Sequence, residues 1–87
     1  MNHNLKQSER FLIPGDVIFE IAQIILQVGL SHEIVDVKED RRLIVLCVEY
    51  DGKSTLHKQA IENITEILQT YHDIFFNGDK RMNWREY

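Results

Sequence analysis

The sequence is short of the residues that mark specialised chemistry. It has one cysteine, one proline and one tryptophan in 87 residues. A lone cysteine, Cys47, cannot form an intramolecular disulfide. Small secreted domains usually carry several bridges, so the expectation is an intracellular, cytoplasmic protein. No apolar run reaches the roughly 20 residues that cross a bilayer. The longest lies within residues 17–30, where Glu20, Gln23 and Gln27 interrupt it. The opening MNHNLKQSER lacks the apolar core of a secretory signal. Basic charge is scarce as well: ten Lys and Arg stand against fourteen Asp and Glu, a formal net charge of −4. Broad binding to nucleic acid or to an anionic membrane calls for the opposite balance. There is no repeat, no low-complexity segment and no Pro- or Gly-rich linker. One domain over residues 1–87 is expected, with residues 1–10 as a flexible lead-in and 79–87 as a C-terminal tail.

What is present is an ordinary globular composition. Hydrophobic residues make up 44% and charged residues 28%, too apolar for disorder. A chain this short buries only about 60–65% of its unfolded surface, so its core is marginal. Phe11–Ile13 can add a short strand or pack as a hydrophobic staple. Pro14-Gly15-Asp16 reads as a turn into a helix over 16–28, with Asp16 at its first turn. Val17, Ile18, Ile21, Ile24, Ile25 and Val28 recur at helical spacing, and Phe19, Ala22 and Leu26 widen that face. Gly29 is a natural stop, and Leu30 is placed to pack back on Ile25.

Two strands follow. Val35 and Val37 alternate with Asp36 and Lys38, a strand with one wet face. Leu43 to Val48 is apolar throughout, as in strands covered on both sides. The charged link Glu39–Arg42 joins them as a hairpin. A second helix begins at Ser54 or Thr55 and ends at Asn77-Gly78, with Ala60, Ile64, Ile67, Tyr71, Ile74 and Phe75 marking one face and Leu56, Ile61 and Leu68 beside it. The expected fold is α+β: an α-β-β-α domain in which an antiparallel hairpin packs with two helices.

Candidate chemistry is sparse. EYDGKSTLHK, residues 49–58, holds the second half of a phosphate-binding loop, G-x-x-x-x-G-K-[ST]. Gly52, Lys53 and Ser54 match, but the first glycine position is Cys47. The loop is too short to wrap a triphosphate. What survives is a small anion site at a helix start, using Lys53, Ser54, Thr55, His57 and Lys58. Its rival is a capped helix start with solvated lysines. The four histidines are scattered and no second thiolate is available, so no metal or other cofactor is expected. Cys47, mid-strand, reads as a small buried hydrophobe and not a nucleophile, and no catalysis is expected. Trp84, Arg85 and Tyr87 form a basic-aromatic set able to grip a partner or stack on a single-stranded base, though Asp79 and Glu86 dilute its charge.

The apolar surplus is the main signal. Two helices cover one sheet face, yet Leu43, Val45 and Cys47 point one way and Ile44, Leu46 and Val48 the other. Open apolar edges invite association. The expectation is a small protein–protein interaction or accessory module, homodimeric, with Leu43, Val45, Leu46 and Cys47 at the contact and the sheet extended across it. On that arrangement one of Val45→Asp and Leu46→Asp dissociates the dimer and the other unfolds the chain. The alternatives are a monomer in which residues 5–13 and 79–87 cover that surface, an anion-binding module, and a nucleic-acid binder acting through the tail.

Overall fold

The computed structural model describes residues 6–76. Its elements are β1 (Lys6–Pro14), a 3-10 turn at Gly15–Val17, α1 (Ile18–Val28), β2 (Ser31–Lys38), a 3-10 turn at Glu39–Arg41, β3 (Leu43–Asp51) and α2 (Thr55–Phe76). The strands form one antiparallel sheet in the order β1-β3-β2. The fold is α+β, a small sheet packed with two helices. β1 and β2 both oppose β3, so they run parallel to each other. With α1 between them they make a β-α-β unit split by β3.

The third strand is the first of the two outcomes left open for Phe11–Ile13, and it is longer than that segment. Residues from Lys6 onward are not a lead-in: all nine of β1 pair with β3, from Lys6 opposite Asp51 to Pro14 opposite Leu43. Alternation in β1 is masked by polar residues on its inner face. Phe11 and Ile13 point inward opposite Leu46 and Ile44, and Gln7 and Glu9 take the same side. Their polarity is accommodated by Tyr50, whose hydroxyl lies 2.9 Å from Gln7 Oε1 and 3.3 Å from Glu9 Oε2.

Both helices lie on that face. Phe11, Ile13, Leu46, Val48 and Tyr50 of the sheet form one core with Ile21 and Ile25 of α1 and Ala60, Ile61, Ile64 and Leu68 of α2. α1 ends as its sequence requires. Gly29 takes the left-handed conformation, φ 82°, which a side chain would strain. Leu30 N–H then donates to Ile25 O at 3.0 Å, and both side chains are buried. On α2 the buried line runs through Ala60, Ile61, Ile64, Leu68 and His72, while Leu56 and Ile74 are exposed. The inward face is therefore rotated from the expected one, because His72, polar by type, belongs to it.

The hairpin turns over the charged, glycine-free link that the sequence shows between β2 and β3. Arg42 closes it with φ 57°, and Gly15 N–H donates to Arg42 O at 3.0 Å, tying the start of α1 to the β2–β3 turn. From α2, the Tyr71 hydroxyl donates to Asp16 Oδ2 at 3.1 Å. Burial, the hydrogen bond and the nearby carboxylate raise the Tyr71 pKa, in that order of weight. A phenol whose folded pKa exceeds its unfolded value of about 10 contributes stability that is whole below that pH and fades as pH rises through the folded pKa. Tyr71→Phe is therefore expected to flatten the loss of stability above pH 10, which urea denaturation at a series of alkaline pH values would detect. An identical alkaline slope in the two proteins would contradict this.

Candidate functional site

Two regions need placing: the turn before α2, singled out in the sequence, and the outer side of α1 and β2, which was not. The turn does gather Lys53, Ser54, Thr55, His57 and Lys58 at one helix start. It uses its own donors. Asp51 Oδ1 accepts from Lys53 N–H at 2.9 Å, and Asp51 O accepts from Ser54 N–H at 3.0 Å. Ser54 Oγ accepts from His57 N–H at 3.1 Å, the usual N-cap bond. Asp51 N–H in turn donates to His57 Nδ1 at 3.0 Å. The Asp51 carboxylate and the Ser54 hydroxyl stand where the oxygens of a bound anion would otherwise accept. This is a self-capped helix start, and Ser54→Ala is expected to destabilise the chain by about 1 kcal/mol. A thermal melt checks it. No change in melting temperature would mean that the cap bond contributes nothing.

Cys47, at the position a phosphate-binding loop gives to its first glycine, sits within β3 opposite Arg10 and Glu33. Of the four residues assigned to a contact between copies, Leu46 belongs to the helix-side core, at 5% exposure. Leu43 and Val45 are on the opposite face and are buried too, at 5% and 0%. Cys47 is half-buried. On that face Leu12 lies beside Val45, Arg10 beside Cys47 and Lys38 beside Leu43. β3 is the central strand: β1 occupies one edge and β2 the other, so it has no free edge to offer. Trp84, Arg85 and Tyr87 lie outside the described residues.

The exposed apolar surface is elsewhere. On β2, Ile34 is 56% exposed and Val37 is 54% exposed. They share the helix-side face because of a bulge. Ile34 faces Leu46, Asp36 faces Val45 and Val37 faces Ile44, leaving Val35 without a partner on β3. The extra residue shifts the alternation by one. Ile34 and Val37 thus point the same way, while Glu33, Asp36 and Lys38 point to the other face. The expected pairing of Val35 with Val37 on one face is corrected by this bulge.

α1 leaves this side of β2 open. Ile18, Ala22 and Leu26 of the helix and His32 and Ile34 of β2 line an apolar groove of about 170 Å³, floored by Ile44 and Leu46. Leu26 is 71% exposed and Phe19, three residues before Ala22, is 85% exposed. The signal for this surface lay in α1, which is apolar around most of its circumference. A helix of that kind is usually buried on more than one side. Here the chain buries only the side carrying Ile21 and Ile25.

β1 is also an edge among the described residues. Its apolar side chains are already used, since Phe11 and Ile13 are fully buried. Those of β2 are not. Among the described residues no three metal-type side chains cluster, and no helix is long and apolar enough to cross a membrane. No protein-family model matches the sequence, and no curated protein or solved structure matches it.

Proposed function

We propose that the chain is a small, non-enzymatic protein–protein interaction module that self-associates through the β2 edge and the adjoining α1 groove. One observation carries the reading: an eight-residue strand that is an edge among the described residues lies beside an apolar groove, with its Val37 N–H held by Asp36 Oδ1 of the same strand at 2.8 Å, and Ile34, Val37, Leu26 and Phe19 are all more than half exposed around it. A strand edge presents a row of unpaired N–H and C=O groups that an added strand satisfies. Exposed apolar side chains next to it add area that leaves water on docking. Hydrogen bonds give attachment and the groove gives selectivity.

Hydrogen exchange tests this directly. Amide protection along Ser31–Lys38 should rise with protein concentration from nanomolar to micromolar, while that of α2 stays constant. If β2 exchanges at the same rate throughout that range, the edge is not being paired and the reading fails.

A further inference from the structure

We infer that two copies join β2 to β2 about a two-fold axis, in the one register that sets Ile34 against Val37 and Glu33 against Lys38 of the second copy. This rests on the self-association proposed above and specifies its geometry. Two-fold contacts are self-complementary, so every pairing occurs twice. An antiparallel pair also keeps directly opposed side chains on the same face. The bulge makes these two conditions selective. Ile34 and Val37 lie on the helix side, and Glu33, Asp36 and Lys38 lie on the other side. In the chosen register the helix-side residues meet each other, Ile34 with Val37, and the bulge of one copy meets the bulge of its mate.

Charge then separates this register from its nearest rival. On the outer face each exposed Glu33 lies opposite the half-buried Lys38 of the second copy, one opposite-charge pair on either side of the axis. Lys38 Nζ also lies 3.5 Å from its own Asp36 Oδ2. The neighbouring register that also preserves the faces sets Glu33 against Asp36 instead. That puts like charge on like charge, twice, across a strand pair. The result is a continuous sheet with three strands from each copy and both pairs of helices on one side. The two α1 grooves then lie next to each other across the axis, with Phe19 and Leu26 of each copy turned toward the space between them.

A charge swap tests the register. Alone, E33K sets lysine against Lys38 twice per dimer, and K38E sets glutamate against Glu33 twice. Each is expected to weaken self-association about tenfold or more. Mixed in equal amounts, the two variants restore opposite charges at both positions, and the heterodimer should form in preference to either homodimer. K38E also loses the contacts of Lys38 within its own chain, the Asp36 pair among them, but in monomer and dimer alike. Native mass spectrometry with one variant isotopically labelled reads the species directly. If the wild type dimerises but each variant does so equally well, or the mixture shows no preference, the register is wrong and self-association stands. A monomeric wild type overturns both, and means that the bulge guards this edge instead of matching its mate.

Discussion

Val45→Asp and Leu46→Asp should each leave the chain unfolded. The sequence alone predicts opposite outcomes for them, one breaking a dimer and the other the fold, because it leaves one face of β3 without cover. Both side chains are buried within a single chain, Val45 completely. Leu46 packs in the core with Phe11 and Ile25. Val45 stands on the other face of the central strand, hemmed by Leu12 on one side and Asp36 on the other. A carboxylate at position 46 would lose its water among apolar side chains. At position 45 it would also sit opposite the Asp36 carboxylate. Burying an unpaired charge typically costs several kcal/mol. A domain of this size has on the order of 5 kcal/mol to lose. Far-UV circular dichroism of the purified variants would show it. A Val45→Asp protein that melts cooperatively near the wild-type temperature would mean that this face opens to water after all.

Phe11→Ala should cost about 3–5 kcal/mol, close to the whole stability of the chain. Phe11 is fully buried opposite Leu46, at the centre of β1. The substitution removes the largest side chain that β1 contributes to the core and leaves a cavity between sheet and helices. Urea denaturation gives the number. A loss below about 1 kcal/mol would place β1 outside the cooperative unit.

The reasons for what was and was not legible are local. α1 and its stop were visible because Gly29 and Leu30 obey a capping rule that depends only on nearby residues. β3 was visible because six consecutive apolar residues fit few other structures. β1 was hidden by Gln7 and Glu9, polar residues on an inward face made tolerable by Tyr50, a partner more than 40 residues away. The face of α2 was misaligned because His72 counts as polar by type and is buried in fact. In β2, one inserted residue moved Val37 to the side of Ile34, and no composition rule locates a bulge. The sequence places the candidate surface on β3 because that run is apolar on both faces and two helices cover only one. The apolar surplus was real, but it resides on the edge strand and α1, while the central strand is fully used. The turn at Gly52–Thr55 was located correctly in sequence. Its internal hydrogen bonds were not foreseeable, because the role of His57 depends on where its ring meets the Asp51 amide.

Self-association through β2 is the central claim, and solution mass by light scattering at micromolar concentration tests it most directly. The wild type should have twice the 10.3 kDa chain mass. Ile34→Asp, which places a charge at an exposed position opposite Val37 of the second copy, should return the mass to 10.3 kDa while keeping a cooperative melt. A wild type that runs at 10.3 kDa, or an Ile34→Asp protein that still runs at twice that mass, would contradict it.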